Sequence, residues 1–292
     1  MRLLRSELFR LRRRWMPWVL LLMVIAASLA IYLLVYFSVQ AQLTTLRSGT
    51  SPSPPGGTAQ FDQALASLRP GQVANFGLGV VDGLGSVLLI VLTASVFGNE
   101  FNWGTLRAVL ALGTGRVRFL AAKYVTMILY AILFTMLGVL AAVAGSEIVS
   151  SIGSLDRTLP DDYASQLALA SGRTIFTFLP YIALAAFIAV WSKSAGAGIA
   201  IGLVVYFAEG IVTTLLVQFN RDFTAFADYG LSRNVGAINR LSSAAAGAPA
   251  PPGGQAAVLP EAGHAALVLV GWTVLLLAVA LWRFRTRDVT SG

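Results

Sequence analysis

The sequence has no cysteine and one histidine, and only 12% of its 292 residues are charged. Without cysteine there are no disulfides, no thiol nucleophile and no thiolate-bound metal. The lone His264 cannot build an H-E-x-x-H zinc site. No G-x-S-x-G or G-x-S-G string sets a serine beside a base. A phosphate-binding loop is missing as well, because the only Lys-Ser pair, Lys193-Ser194, follows Trp191-Ser192 where glycine is required. There is no Asn-Pro, so paired Asn-Pro-Ala water-channel motifs are excluded. The expectation is a chain with no catalytic residues, no metal and no bound cofactor of its own.

What is present is apolar. Residues of apolar type make up 57% of the chain, and the mean hydropathy is +0.75. Soluble domains carry roughly 45–50% apolar and 25% charged residues, so this surface cannot all face water. A membrane-spanning helix needs about 20 apolar residues. Six stretches meet or approach that length: about 16–39, 76–98, 119–145, 174–191, 195–217 and 264–282. The first exceeds the roughly 7–15 residues of a signal-peptide core, so it reads as a retained helix. The expected fold is an all-α integral membrane protein with six transmembrane helices. Residues 1–15 form an N-terminal amphipathic interfacial (elbow) helix and 16–292 the six-span domain.

The net charge of +8 tests orientation before it suggests nucleic acid, which is not an expected partner. If the N-terminus is cytoplasmic, 14 of the 21 bases fall on the inside: Arg2, Arg5, Arg10, Arg12, Arg13, Arg14, Arg107, Arg116, Arg118, Lys123, Lys193, Arg283, Arg285 and Arg287. That is the positive-inside pattern, and six spans return the chain to the same side. The expectation is a multi-pass protein of the cell (inner or cytoplasmic) membrane with both termini cytoplasmic. Outer loops 40–75 and 218–263 contain the Pro- and Gly-rich runs 48–60 and 242–257 and read as flexible. A short outer helix is expected near 161–170.

Four features carry a functional reading. In the N-terminal segment, Leu4, Leu8, Leu11 and Trp15 form one helical stripe, with Arg5, Arg12 and Arg13 away from its centre. Such a helix lies among lipid headgroups, where each base gains about 1 kcal/mol from anionic lipid. Next, the inner connection 99–118 sets Glu100, Gly104 and Arg107 on one helical face. Its Phe101, Trp103, Leu106, Val109, Leu110 and Leu112 are too apolar for a solvated loop, so it should rest on a membrane or a partner. Third, Asp82 and Glu209 lie within spans, where an ionised group costs about 2.5–3.5 kcal/mol. They are candidates to line a translocation path; alternatively Asp82 reaches the outer interface, and Glu209 is protonated or bonded to a neighbouring helix. Gly210 beside Glu209 marks a place where the helix could loosen. Last, the pairs Gly79/Gly83 and Gly198/Gly202 permit close helix approach, within or between subunits.

The basic elbow, a first span, and a second span leading into Glu100-x-x-x-Gly104-Thr105-Leu106-Arg107, followed by Arg116, Phe119-Leu120 and Lys123 at the third span, resemble the ABC-2 type permease subunits of ABC transporters. The six-span layout extends the likeness over nearly the whole chain. Gly113-Thr114-Gly115-Arg116 departs from the proline that members often place before the basic turn residue. The resemblance implies two permease subunits, identical or homologous, docked on two separate ABC ATPase subunits that bind ATP and magnesium. Glu100, Trp103, Gly104, Thr105, Arg107 and Arg116 would form the ATPase-docking loop. Arg5, Leu8, Arg12 and Trp15 would belong to the interfacial helix. The expected function is the permease subunit of an ATP-driven exporter, not an enzyme itself. Two other readings remain: a membrane anchor or sensor that recruits a cytoplasmic protein without transport, and an ion-coupled carrier. An ATPase encoded next to this gene would separate the first reading from the other two.

Overall fold

Helical hydrogen bonding is the one way for an isolated apolar segment to satisfy its backbone inside a bilayer. The computed structural model of the chain describes residues 2–48, 58–102, 115–219, 221–245 and 259–286, and no strand occurs among them. Helix α1 (Arg2–Arg13) is joined through Arg14 to α2 (Trp15–Arg47), and α3 (Ala59–Ser67) follows. A 3-10 turn (Pro70–Gln72) and a π turn (Val73–Gly77) lead into α4 (Leu78–Asn102). Then come α5 (Arg116–Gly153), α6 (Tyr163–Ser192) and α7 (Ala195–Phe219). Short turns (Arg221–Phe223 and Thr224–Ala227) precede α8 (Leu231–Ala245) and α9 (Ala262–Thr286).

Six of these helices are long and apolar enough to cross a membrane: Trp15–Arg47, Pro70–Glu100, Arg116–Gly153, Tyr163–Ser192, Ala195–Phe219 and Ala262–Thr286. The protein is therefore an all-α, multi-pass membrane protein. Each expected span is present and extends further at one or both ends. The second and fourth spans are central, with 67% and 72% of their most apolar stretch buried, against 11% for the fifth. Ile90, Phe134, Phe178 and Ile182 are wholly buried between them. The exposed Val204, Phe207 and Ile211 of α7 are the outward surface expected of a helix that meets lipid tails.

Three expectations need correction. Residues 40–75 and 218–263 are not flexible throughout. The α2 helix runs on to Arg47, and the segment from Ala59 to Gly77 is largely helical because Leu68 and Val73 are buried against Tyr32 and Tyr36 of α2 and Ala142 and Val149 of α5. Likewise α8 sets Leu231, Val235 and Ile238 on one buried stripe. Apolar residues after the first Pro- and Gly-rich run and before the second are thus buried in helical segments. Most of the runs themselves, 49–57 and 246–258, lie outside the described residues. Nor is there a separate helix near 161–170, since α6 begins at Tyr163 and continues without a break into the fourth span.

Tight turns and small residues set the packing at the end of the bundle that carries α1. Lys193 closes α6 in the left-handed conformation (φ 56°), and the Ser194 hydroxyl accepts from the Ala197 N–H at 3.3 Å to cap α7. This turn sits directly on Gly98 of α4, where any Cβ would overlap the backbone of Ala195. One helical turn further along, a Cβ on Gly198 would lie 3.0 Å from Ala94 and from Ala189, and one on Gly202 would lie 2.8 Å from Ile90. The Gly198/Gly202 pair is thus spent inside the subunit, between α7 and its neighbours. Gly79 and Gly83 have nothing within 4 Å of where a Cβ would stand.

Candidate functional site

The α1 end of the bundle gathers charge in a buried place. Phe119 and Leu120 begin the apolar face of α5, and Lys123, one helical turn on, is 2% exposed. Its ammonium donates to Glu7 Oε2 and to Glu100 Oε1, both at 2.9 Å. Glu7 comes from α1 and Glu100 from the end of α4, so one lysine ties three helices together. The Arg10 guanidinium stands 3.6 Å from Glu7 and 3.9 Å from Glu100, supplying a second cation for the second carboxylate. Lys123 Nζ also lies 5.1 Å from the centre of the Phe119 ring. Buried charges persist only when paired and hydrogen-bonded, and this set meets that condition.

Glu100 is therefore not presented for docking. It is 3% exposed and stands, buried, at the root of the connection 99–118. Trp103, Gly104, Thr105 and Arg107 lie outside the described residues. Arg116 begins α5 and donates to the carbonyls of Phe284 (3.3 Å) and Arg285 (2.7 Å). It thereby satisfies the C-terminal carbonyls of α9, where a cation is also favoured by the helix dipole.

The elbow also differs from a helix with its whole apolar stripe in lipid. Its Glu7 and Leu11 side is buried against the spans, and Leu8 is 39% exposed at the rim. Arg5 and Arg12 are exposed. Trp15 lies beyond the elbow as the first residue of α2 and is 86% exposed. The Trp18 indole N–H donates to the Arg12 carbonyl at 2.8 Å, which holds the joint between α1 and α2.

At the opposite end, the two acids within the spans share one partner element. Asp82 accepts from the Thr177 hydroxyl of α6 (2.6 Å) and from the Asn239 amide of α8 (2.9 Å), and is 8% exposed. Glu209 of α7 accepts from the Ser232 backbone N–H at 2.9 Å, at the first turn of α8, where a carboxylate meets unpaired N–H groups and the positive end of the dipole. Glu209 thus takes the helix-bonded course, and its helix runs unbroken past Gly210. Asp82 is held between helices instead of reaching the interface. Ser243 donates to Asn75 at 2.6 Å, and Arg173 to Ser242 at 3.2 Å, so α8 is fastened along its length. His264 Nε2 lies 3.2 Å from the Asp228 carbonyl. Among the described residues no group of three or more His, Cys, Asp or Glu side chains converges on a metal position.

Glu7, Arg10, Thr177, Ser232 and Asn239 were not singled out in the sequence. For Glu7 a signal existed: it is the one acid in a strongly basic helix, and Lys123 in an apolar stretch requires an acid from elsewhere. The partners of Asp82 had no such signal, because Thr177 is one hydroxyl among many and Asn239 lies in a segment read as loop.

These features define a multi-pass helical membrane protein with a buried ion network at one end and a bonded capping helix at the other. Residues 80–290 match the family described as "Protein of unknown function (DUF2705)", and the chain belongs to that family. The chain is also similar to the uncharacterized protein YhcI of Bacillus subtilis (strain 168), at 30% identity over 77 residues. That match covers 24% of this chain and 25% of YhcI.

Proposed function

We propose that this chain is the membrane-spanning permease subunit of an ATP-driven ABC transporter, an exporter working with a separate ATPase that binds ATP and magnesium. A second permease subunit, identical or homologous, completes the pathway. The chain lies in the cytoplasmic membrane with both termini and the connection 99–118 on the cytoplasmic side, in keeping with the placement of its bases.

One observation carries the mechanism: Lys123 bonds both Glu100, at the root of that connection, and Glu7, in the elbow. Closure of the ATPases pushes on the connection. The push reaches Glu100, and through Lys123 it reaches the third span and the elbow together. Three helices then move as one body, and the route between the two permeases changes its accessible side. This extends the docking expectation, with Glu100 as a relay and the residues beyond it as the contact.

The test is a search of the neighbouring genes for an ATPase with a phosphate-binding loop, co-expression with it, then purification and ATP hydrolysis assays in lipid. The two chains are expected to co-purify. Replacing Arg107 with Ala should weaken the complex, whereas Glu100→Gln should leave the complex intact and uncouple substrate-stimulated hydrolysis. Absence of a complex with any neighbouring ATPase would favour an anchor, and transport without ATPase a carrier; either result overturns the proposal.

A further inference from the structure

The crook between the elbow and the first span encloses a cleft of about 260 Å³. Its walls are Leu8 and Leu11 of α1, Pro17 and Trp18 of α2, and Tyr130 and Leu133 of α5. The polar atoms of those walls are already engaged. The Tyr130 hydroxyl donates to the Pro17 carbonyl, and the Trp18 indole donates to the Arg12 carbonyl. The interior therefore offers contact to hydrocarbon and no hydrogen bonds. Arg12 is the one charged residue among those that line the cleft, and it is exposed.

We propose that this cleft is a binding site for an anionic phospholipid of the surrounding membrane. One acyl chain fills the space against Tyr130 and Leu133, and the phosphate of the headgroup pairs with Arg12. Depth and chemistry agree. The cleft opens where α2 starts, at the level where tryptophan and basic side chains meet headgroups. A guanidinium matches a phosphate in a planar, two-point contact. A neutral or zwitterionic lipid fits the apolar part without satisfying Arg12 to the same degree, and a soluble acidic peptide leaves the dry walls uncovered. The bound lipid acts as a wedge that fixes the angle between α1 and α2. This inference holds whether or not an ATPase binds the chain.

Native mass spectrometry of the purified full chain tests it. The protein is exchanged into detergent doped with equal amounts of phosphatidylglycerol and phosphatidylcholine of identical acyl chains. One phosphatidylglycerol per chain is expected to be retained in preference. Arg12→Gln should reduce that preference about fivefold, the equivalent of roughly 1 kcal/mol per base at a membrane surface. Leu133→Trp, which fills the cleft, should displace the bound lipid of either kind. Arg5→Gln removes a base of the same helix that does not line the cleft, and should leave retention unchanged. Circular dichroism and gel-filtration profiles establish that each variant is folded. Equal retention of the two lipids by the unaltered protein, equal losses for Arg5→Gln and Arg12→Gln, or full retention by Leu133→Trp would each overturn the site.

Discussion

Lys123 donates to Glu7 across 2.9 Å, although the two residues are separated by 116 positions in the chain. The same ammonium reaches Glu100, so the elbow, the second span and the third span meet at one buried nitrogen. Removing that nitrogen takes from the two carboxylates the buried cation they share and leaves the half-exposed Arg10 at 3.6 and 3.9 Å. Loss of one partner from a buried ion pair costs about 3–5 kcal/mol, mainly because the remaining charge is uncompensated. Lys123→Met should therefore lower the melting temperature sharply in detergent thermostability assays. Adding Glu7→Gln and Glu100→Gln to Lys123→Met should recover much of the loss. A triple variant no more stable than Lys123→Met would show that the lysine stem, rather than its charge, matters.

Asp82 and Glu209 lead to a second prediction. Both hold α8, but in different ways: Asp82 through the Asn239 side-chain amide, with the Thr177 hydroxyl of α6 as a second donor, and Glu209 through a backbone N–H. Glu209→Gln keeps an acceptor for Ser232 and should preserve stability, whereas Glu209→Leu should cost about 0.5–2 kcal/mol, the range for a lost helix cap. Asp82→Ala should cost more than Glu209→Leu, because it removes two side-chain bonds at once and strands the half-buried Asn239 amide, while the Thr177 hydroxyl keeps the Thr174 carbonyl. Hydrogen exchange at the amides of residues 231–245 reads the effect locally. Faster exchange there in Asp82→Ala and Glu209→Leu, but not in Glu209→Gln, is the expected pattern. If Glu209→Gln remains stable yet abolishes transport, its charge acts on the cargo route.

Gly98 permits the turn between α6 and α7 to rest on α4. Its obstacle is backbone, which cannot rotate aside as a side chain can. Gly98→Ala should thus destabilise by about 1–3 kcal/mol, the usual penalty for overpacking. Gly79→Ala, on an open face, should leave the folded subunit unaffected. Melting curves of the two variants provide the check. A dimer lost in Gly79→Ala alone, with the melting temperature kept, would assign that face to contact between subunits.

The absence of native cysteine makes orientation directly measurable. Ser6→Cys in α1 and Ser165→Cys near the start of α6 place single exposed thiols at the two ends of the bundle. In intact cells a membrane-impermeant maleimide should label Ser165→Cys and spare Ser6→Cys until the membrane is opened. The reverse pattern would place the termini outside.

Sequence alone determined the spans, because hydropathy over about 20 residues is a local property that the bilayer selects directly. It also located Asp82 and Glu209 as charges within spans and set Lys123 at the start of the third. Only tertiary structure decided their partners, since Glu7, Asn239 and Ser232 reach them from distant segments and no spacing in the chain encodes those distances. The Pro- and Gly-rich runs obscured the helical segments beside them, where burial of Leu68, Val73, Val235 and Ile238 overrides the flexible composition nearby. The two glycine pairs look alike as strings, yet Gly198/Gly202 is packed inside the subunit and Gly79/Gly83 is open. A small residue permits close approach, but the neighbour that approaches is a property of the folded chain.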